Sequence, residues 1–249
     1  MDTHLIERIR DTLDSAGVTY HQDTLSALLE NIYRNDTEYQ DVLAWILQKK
    51  EHCSAIVEQI GLNEVMTGAW YFSDQGGDIK HESGGFFKVI GVDVKTDNRE
   101  SGKGWKQPMV DQGTESSVAG FIRRKREGIH QYLIEAKFEP GNYERVLISP
   151  SLQVTYSNLN QAHGGKRPRF TEFFDNSNPD LKCIYSQWMP EDGGRFYLKR
   201  VKYMIVEIDD ENNIEINDDF RWVSVSTLKR LLHMDNLINP HVRSLLAVL

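Results

Sequence analysis

The fold is decided by two strand-forming runs, Val118-Ala119-Gly120-Phe121-Ile122-Arg123-Arg124 and Ile129-His130-Gln131-Tyr132-Leu133-Ile134-Glu135-Ala136-Lys137. Both are rich in the β-branched and aromatic residues that favour strands. The segment between them, Arg126-Glu127-Gly128, is polar, contains a glycine and is short enough for a tight turn. The sequence therefore predicts a β-hairpin, around which the other elements can be placed.

Further strands are predicted on both sides of the hairpin. Residues 86–94, 146–156 and 203–208 are dominated by apolar and β-branched residues, as strands are. Asn212-Asn213 is predicted to be a tight turn into a strand at residues 214–216, because asparagine readily adopts positive φ. Together these segments predict a mixed or antiparallel sheet.

Residues 1–62 are predicted to be helical, because their apolar residues recur three or four positions apart. The first stripe consists of Leu5, Ile6, Ile9 and Leu13. Thr37-Glu38-Tyr39-Gln40 is predicted to be a capping box, and it starts a stripe made of Tyr39, Val42, Leu43, Ile46 and Leu47. Val57 and Ile60 should end the segment before Gly61. A helical cap or a dimerisation element is favoured here over a catalytic role.

Two short helices are predicted in the C-terminal part, at residues 226–234 and 240–249. Asn239 suits the N-cap of the second helix, and Pro240 suits its first helical position. The predicted fold class is therefore α+β, with N-terminal helices, a mixed sheet and C-terminal helices. The predicted domain boundary separates an N-terminal helical segment, residues 1–64, from a module at residues 65–249.

The composition is that of an ordinary globular protein, with 39% hydrophobic and 27% charged residues among 249. No apolar run approaches the ~20 residues of a membrane span, and the start Met1-Asp2-Thr3-His4-Leu5 lacks the features of a signal peptide. Cys53 and Cys183 have no CxxC spacing, which indicates reduced thiols rather than a metal site. A cytoplasmic protein without membrane contact is predicted.

The net charge of −8 is concentrated in the N-terminal part of the chain. Residues 1–70 hold 5 basic and 12 acidic residues, whereas the remainder holds 24 and 25. The acidic surface disfavours nucleic-acid binding by the N-terminal segment, so nucleic acid is not a predicted partner. The nearly balanced remainder can still gather cations in one pocket for a diphosphate.

Eight short motifs follow one another along the rest of the chain. In order they are Lys80-His81-Glu82-Ser83-Gly84-Gly85-Phe86-Phe87, Trp105-Lys106-Gln107-Pro108, Glu135-Ala136-Lys137-Phe138-Glu139-Pro140-Gly141-Asn142, Ser149-Pro150-Ser151-Leu152-Gln153-Val154-Thr155, Asp192-Gly193-Gly194-Arg195-Phe196, Tyr203-Met204-Ile205-Val206-Glu207, Phe220-Arg221-Trp222 and Asp235-Asn236-Leu237-Ile238-Asn239. This ordered set closely resembles the NDP-hexose 2,3-dehydratases, which make 2-deoxy sugars from nucleotide-linked 4-keto-6-deoxyhexoses. The resemblance covers roughly residues 65–249, and the ordered set is far more specific than any one motif.

The resemblance implies a Nudix-like fold, because members of the family are built from Nudix-fold modules, normally two per chain. This sequence is long enough for one such module. A Nudix hydrolase needs a G-x5-E-x7-R-E pattern whose clustered glutamates hold Mg²⁺, and the sequence has none. The nearest candidate, Gly193-Gly194-Arg195 followed by Glu207, lacks the carboxylate cluster. Hydrolysis of a diphosphate is therefore disfavoured, and no metal is predicted.

The reaction implied by the resemblance is loss of water across C2–C3 of an NDP-4-keto-6-deoxyhexose. The expected substrate is dTDP-4-keto-6-deoxyglucose, and the product is a 3,4-diketo-2,6-dideoxy sugar. The C3 proton is acidic because it is α to the ketone, and the C2 hydroxyl, β to it, can leave. A base for C3, donors for the enolate at O4 and an acid for O2 are needed. No redox cofactor is required, and no G-x-G-x-x-G fingerprint follows a strand.

Four residues of these motifs are predicted to be catalytic. His81, which can titrate near neutral pH, and Glu82 match the family's H-E-S-G-x-F-F pattern. Lys137 and Glu139 are two positions apart at a strand end, so both point to one side of the sheet. Lys137 could bind diphosphate or polarise O4, and Glu139 could orient it or act as the base. The alternatives are a loop histidine, a surface glutamate and a cross-strand ion pair. Glu135 stands where the family usually has glutamine.

Ten further residues are predicted to bind the substrate: Ser83, Trp105, Gln107, Asn142, Gln153, Thr155, Arg195, Phe196, Tyr203 and Arg221. Gln153 and Thr155 share one face of a strand and suit sugar hydroxyls or a pyrimidine edge, unless that face is simply solvated. Arg195 offers a planar fork for phosphate oxygens, and Phe196 could stack on a base. Asp192 replaces a glutamine of the family pattern.

Two other functions stay open on the sequence: a non-catalytic nucleotide-sugar-binding module and, less favoured, a Nudix-type diphosphate hydrolase. A homodimer is predicted, because self-association through a two-fold interface would rebuild the pairing of two modules in the longer chains. The surfaces expected in that interface are the helices before residue 62 and the C-terminal helix, with Val242, Leu245, Leu246 and Leu249.

Overall fold

The computed structural model describes residues 3–20, 22–33, 35–74, 77–97, 102–156, 167–175, 181–209 and 214–249. The turn predicted at Asn212-Asn213 lies outside these residues. The helices are α1 (Thr3–Ser15), α2 (Gln22–Ile32), α3 (Asp36–Glu51), α4 (Leu62–Val65), α5 (Val225–Leu231) and α6 (Pro240–Leu246). Within the described ranges, no helix is long and apolar enough to cross a membrane.

The strands form two sheets. Four of them, β1 (Trp70–Phe72), β2 (Ile79–His81), β3 (Lys88–Val94) and β4 (Trp105–Asp111), make an antiparallel sheet in that order. The larger sheet contains β5 (Glu115–Arg126), β6 (Ile129–Phe138), β7 (Val146–Pro150), β8 (Leu152–Thr155), β9 (Lys182–Pro190), β10 (Arg200–Ile208) and β11 (Phe220–Ser224). Its order is β11-β6-β5-β10-β9, with β5 and β10 parallel. The predicted α+β class with a mixed sheet and helices at both ends is confirmed.

The hairpin predicted from the sequence is present as β5 and β6. Its turn residues, Glu127 and Gly128, both have positive φ, 50° and 80°, as two-residue hairpin turns commonly require. Only residues 123–126 of β5 pair with β6, where their partners are residues 129–132. Beyond these pairs they separate, because β8 pairs with β5 and β7 pairs with β6.

Ser151 occupies the point where β5 and β6 separate. Its hydroxyl accepts a hydrogen bond from the Ile122 N–H at 2.8 Å and donates one to the Leu133 carbonyl at 2.6 Å. Both backbone groups are thereby satisfied at the point where the two strands no longer pair. The single strand predicted at residues 146–156 is therefore two strands, β7 and β8, interrupted at Ser151.

The central strand β5 is buried on both faces. Ala119 and Phe121 belong to a core cluster that includes residues of α3, α5 and α6, whereas Val118 and Ile122 belong to a second cluster with Phe170 and Phe174. The alternation follows from the two-residue period of a strand. It also explains why the middle of β5, residues 118–122, contains no polar side chain.

Helix α3 packs into the same core as the sheet, through Val42, Trp45 and Ile46. Its N-cap is Asn35, whose side chain accepts from the Glu38 N–H at 3.0 Å. The predicted capping box at residues 37–40 is therefore wrong, because Thr37 already lies inside the helix. The predicted boundary at residue 64 stays a prediction.

Two predicted regular segments are absent. The helix expected up to Ile60 ends at Glu51, and residues 53–61 are not helical. Ile56 and Val57 there are 83% and 52% exposed, so this stretch has no packed face, and packing is the main source of helix stability in proteins. Residues 214–216, predicted as a strand, have no regular structure, although Ile214 and Ile216 pack against the second cluster.

The C-terminal helix α6 begins as predicted, with the Asn239 side chain accepting from the Val242 N–H at 3.0 Å. Val242, Leu245 and Leu246 are buried and lie in the main core. The expectation that these residues form a dimer surface is therefore wrong, because they are already covered by their own chain.

Candidate functional site

A cavity of about 920 Å³ lies beside the ends of β6 and β8, within the volume range of small-molecule sites. Its walls come from β5, β8 and β10, from the loop at residues 139–142, from the loop at residues 191–199 and from the start of α6. Seven of the predicted site residues line it: Lys137, Glu139, Asn142, Gln153, Thr155, Arg195 and Phe196. The polar face of β8 thus faces this cavity.

Gln153 organises the polar wall of the cavity. Its Nε2 donates to Glu139 Oε1 at 2.9 Å, and its Oε1 accepts from Asn239 Nδ2 at 2.6 Å. Its backbone carbonyl accepts from Lys137 Nζ at 2.6 Å. Asn239 is fixed in turn, because its side chain caps α6 and also contacts Ser149. The lysine and the carboxylate are therefore held by one hydrogen-bonded network.

Two more cations line the cavity beside Lys137. The Arg195 side chain is 80% exposed and pairs with Asp192 at 2.9 Å. The Lys199 side chain is only 9% exposed, with its Nζ 4.4 Å from the centre of the Phe196 ring and 3.7 Å from Glu191. Burial lowers the pKa of Lys199, which Glu191 opposes. These cations suit the cavity to an anionic ligand.

Trp105 and Gln107 support the loop that carries Arg195 and do not line the cavity. Gln107 Nε2 donates to the Gly194 carbonyl at 2.9 Å, and Trp105 Nε1 donates to Gln107 Oε1 at 2.7 Å. The Val110 N–H donates to the Arg195 carbonyl at 2.8 Å. The smaller sheet therefore positions this loop through β4.

His81, Glu82 and Ser83 lie beside the cavity without lining it. His81 Nδ1 is 2.8 Å from Ser83 Oγ, and its ring lies 4.3 Å from the Phe86 ring, centre to centre. Residues 84–86 line a smaller cavity of about 320 Å³, which shares Gln112 and Thr155 with the larger one. The motif around His81 therefore reaches the larger cavity through Phe87, which lines it, and borders the smaller one through its glycines and Phe86.

Tyr203 and Arg221 take different positions. Tyr203 is buried, and its hydroxyl is 2.7 Å from Nδ1 of His241, which lines the cavity. Tyr203 therefore contacts a residue that lines the cavity but does not line the cavity itself. Arg221 lies on β11, with its guanidinium 5.4 Å from the Trp45 ring centre and 3.2 Å from Asp218. It is not among the residues that line the cavity.

Several residues of the wall were not predicted from the sequence: Ser117, Glu191, Lys199, Asn239 and His241. Asn239 closes the last of the eight motifs and was predicted only as an N-cap. His241 lies two positions after Asn239, and this closeness to the motif was the one feature of the sequence that indicated His241. Ser117 carried no signal, but its Oγ is buried without a hydrogen-bond partner among the described residues. It is therefore a polar group that a ligand could satisfy.

Glu135 lies on β6, two residues before Lys137. Burial raises its pKa, and the nearby negative charges of Asp219 and Glu139 add to that effect while Lys137 opposes it. Among the described residues, no group of three or more His, Cys, Asp or Glu is placed to hold a metal ion.

Fold and site together define an α+β protein whose cavity suits a small polar ligand with negative charge. The chain belongs to the NDP-hexose 2,3-dehydratase family, whose model matches residues 39–249. The match begins inside α3, the helix that packs into the core of the sheet.

Two relatives are dehydratases by name. The chain is 33% identical over 214 residues to a dTDP-4-dehydro-6-deoxy-alpha-D-glucopyranose 2,3-dehydratase of Amycolatopsis orientalis. The aligned segment covers 84% of this chain and 44% of the relative. An enzyme of the same name from Streptomyces violaceoruber is 33% identical over 178 residues, covering 72% of this chain and 39% of the relative. The chain thus spans less than half the length of these relatives.

Among solved structures, a Nudix hydrolase from M. smegmatis is similar to the chain with a TM-score of 0.34 and 12% identity. The likeness covers 64% of this chain and 97% of the other. That TM-score is low, and the architecture described above is established by the strand pairing itself.

Proposed function

We propose that the chain is a nucleotide-sugar 2,3-dehydratase that removes water across C2–C3 of dTDP-4-keto-6-deoxyglucose or a close analogue. The observation that carries this proposal is the meeting of three family motifs at one cavity, where they bring Lys137, Glu139, Gln153 and Arg195 together. The product would be a 3,4-diketo-2,6-dideoxy sugar on the nucleotide.

Glu139 is the proposed base for the C3 proton. Its carboxylate is held by the Gln153 amide at 2.9 Å, which leaves the second oxygen for the substrate. Lys137 is the proposed donor near O4, because one of its three N–H bonds is used by the Gln153 carbonyl and the others stay available. When the C3 proton moves to Glu139, the electrons form an enolate at C3–C4–O4 that a nearby cation stabilises. The C2–O2 bond then breaks as the C4=O bond re-forms and a C2=C3 double bond forms, and O2 takes a proton and leaves as water. The resulting 3-enol gains a proton at C2 and loses the proton of its 3-hydroxyl, which gives the 3,4-diketo sugar.

His81 and Glu82 are proposed as a second acid–base pair for the departing O2. The smaller cavity, lined by residues 84–86, adjoins the larger one at Gln112 and Thr155. His81 already shares a hydrogen bond with Ser83 at 2.8 Å, which fixes its ring. His81→Gln and Glu82→Gln should each slow turnover about 10² to 10⁴-fold, the range for loss of an acid or base. Unchanged turnover would remove the pair from the mechanism.

The nucleotide is proposed to bind through its diphosphate. Arg195 and Lys199 supply the positive charge, and Phe196 offers a face for the base. Asn142, Thr155 and the buried hydroxyl of Ser117 are proposed to bind polar groups of the substrate. Trp105 and Gln107 would act through the loop that they support, and Tyr203 through His241.

The experiment is to incubate the purified chain with dTDP-4-keto-6-deoxyglucose and to trap the unstable product by chemical reduction. A trapped nucleotide sugar that has lost one molecule of water is the expected product. Glu139→Gln should abolish it. Glu144→Gln should not, because Glu144, a carboxylate of the same loop, pairs with Lys50 and does not line the cavity. Recovery of the substrate alone, from protein shown to bind it, would contradict the proposal.

A non-catalytic nucleotide-sugar-binding module is the second candidate. It is favoured by one observation, the match to less than half of each named relative. The same incubation separates the two functions, because a binding module retains substrate without losing water. Release of nucleoside monophosphate with Mg²⁺ would instead support the disfavoured Nudix-type hydrolase.

The chain is further proposed to be a cytoplasmic homodimer with the nucleotide sugar as its small-molecule partner. Two free cysteines, Cys53 and Cys183, support a reducing compartment. Leu28 and Ile32 on α2 are 56% and 59% exposed, one helical turn apart, and they form an apolar strip that a second copy could cover. The strip replaces α6 as the proposed interface.

A further inference from the structure

Among the described residues, His241 is the one histidine that lines the larger cavity. It follows the N-cap Asn239 and the first-turn Pro240, so the start of α6 fixes its position. Its Nδ1 lies 2.7 Å from the Tyr203 hydroxyl, and the two rings are 5.7 Å apart, centre to centre. With Nδ1 engaged, Nε2 is the ring nitrogen left for a ligand.

The proton on this pair can be placed from the burial of both groups. Burial raises the pKa of Tyr203, so the phenol keeps its proton, and burial lowers the pKa of His241, so the imidazole is neutral. The charged groups that face His241 act in both directions, since Glu191 raises its pKa while Lys199 and Lys137 lower it.

A neutral imidazole carries one N–H and one lone pair. The phenol needs an acceptor for its proton, and Nδ1 at 2.7 Å provides one. The Ser244 hydroxyl on the next turn of α6 donates to the Pro240 carbonyl at 3.2 Å, so it does not supply a proton to the phenol oxygen. Among the described residues, Nδ1 of His241 is the acceptor that lies within hydrogen-bonding distance of the phenol. The phenol proton therefore points to Nδ1, and the imidazole proton is on Nε2.

We propose that His241 is a neutral hydrogen-bond donor to the ligand in this cavity, with Tyr203 as the residue that fixes its tautomer. The inference rests on the proposed dehydration, in which His241 Nε2–H would donate to O4 as the enolate forms. No proton is transferred by His241 in this step, because Glu139 takes the C3 proton and the C2 oxygen leaves as water. A neutral donor suits an enolate, since it stabilises charge without itself changing protonation state.

The first test reads the tautomer directly, independently of any activity. Nitrogen NMR of protein labelled at histidine resolves which ring nitrogen carries the proton, and His241→Gln identifies the signal among the eight histidines. We expect His241 to be neutral at about pH 7 with the proton on Nε2. Tyr203→Phe should mix the tautomers. A proton on Nδ1, or a charged ring, in the wild-type protein would overturn the inference.

The second test compares two substitutions of the same residue. His241→Gln keeps an N–H donor near the position of Nε2, whereas His241→Leu keeps bulk without a donor. We expect His241→Leu to lower kcat about 10²-fold with KM changed less than about 3-fold, and His241→Gln to stay within about 10-fold of wild type. Equal losses in both variants would indicate proton transfer by His241 and overturn the inference.

The two tests separate this inference from the proposed function. If the wild-type protein binds the nucleotide sugar without turnover, the dehydratase proposal fails. The NMR tautomer, and the response of the Nε2–H signal to dTDP-4-keto-6-deoxyglucose, then still decide whether His241 is a donor. An unchanged signal in ligand-bound protein would count against it. If His241→Leu does not fold, the wild-type spectrum and His241→Gln carry the test.

Discussion

At the scale of single residues, the site depends on side chains that each hold a neighbour. Gln153 is the clearest case, because its amide contacts Glu139 and Asn239 while its carbonyl accepts from Lys137. The sequence could place Gln153 and Thr155 on one face of a strand, since alternation is a local property. It could not show that Asn239 and His241, which lie far along the chain from Gln153, complete the same wall.

Arg195 should contribute to nucleotide binding. Arg195→Ala removes the exposed guanidinium from the cavity rim and should weaken dTDP binding by about 1.5 kcal/mol, roughly tenfold in Kd, the scale of a charge-assisted hydrogen bond. Calorimetric titration measures this. Arg126→Ala, at the exposed tip of the hairpin, is the control and should leave the affinity unchanged. If both variants bind dTDP like the wild type, Arg195 is not part of the site.

Glu135 should make the folded state less stable at high pH. Its pKa is raised by burial in the folded protein, so the folded state holds a proton that the unfolded state releases. Stability therefore falls as the pH rises from the ordinary pKa of a glutamate through the raised one. Glu135→Gln should raise the thermal midpoint by on the order of 2 °C at about pH 8, and the gain should vanish in acid. A gain that is equal at both pH values would contradict this assignment.

At the scale of elements, the fork in the larger sheet builds the site. The separation of β5 from β6 makes room for β7 and β8, and β8 then brings Gln153 and Thr155 to the cavity. The hairpin was predictable, because its signals are local. The fork was not, because it depends on Ser151, whose role requires two distant backbone groups, Ile122 and Leu133, to lie within hydrogen-bonding distance.

Ser151→Ala should destabilise the fold. It leaves the Ile122 N–H and the Leu133 carbonyl without their bridging hydroxyl, and unsatisfied buried polar groups of this kind cost roughly 2–3 kcal/mol together. Denaturant unfolding measures the loss. Ser186→Ala, on an exposed position of β9, should change stability little. A Ser151→Ala protein as stable as the wild type would show that the hydroxyl does not hold the fork.

Helix α3 shows a second limit of the sequence at this scale. The apolar stripe was visible, and Val42 and Ile46 are buried as it predicts. The role of Glu38 was not visible, because its carboxylate accepts from the Ser224 N–H at 3.1 Å and from the hydroxyls of Ser224 and Thr227. These contacts join α3 to the start of α5, 186 residues away.

At the scale of the whole molecule, the two sheets, their loops and the start of α6 form a polar cavity. The order of the motifs predicted the family and the fold class, because most of the motifs are strands or strand ends that carry polar residues. The shape of the cavity could not be predicted, since it depends on how the loop at residues 191–199 is held by β4. That contact runs through Val110 and Gln107.

The proposed dimer should depend on α2. Substitution of Leu28 and Ile32 together by lysine places two charges on the proposed strip, and light scattering should then give the chain mass of 28.7 kDa instead of twice that value. Tyr143→Lys, at a position that is 87% exposed on the loop after β6, should leave the mass unchanged. A wild-type protein that is monomeric at micromolar concentration would rule the dimer out.

The central claim is that residues of this cavity, with Glu139 as the base, remove the C3 proton of the substrate and promote the departure of O2. It is tested most directly with dTDP-4-keto-6-deoxyglucose that carries deuterium at C3, followed by mass spectrometry of the trapped nucleotide sugar. The account predicts that the wild-type protein releases the deuterium to solvent together with one molecule of water, and that Glu139→Gln slows this release about 10² to 10⁴-fold while still binding the substrate. Deuterium retained at C3 by wild-type protein that has bound the substrate would contradict it.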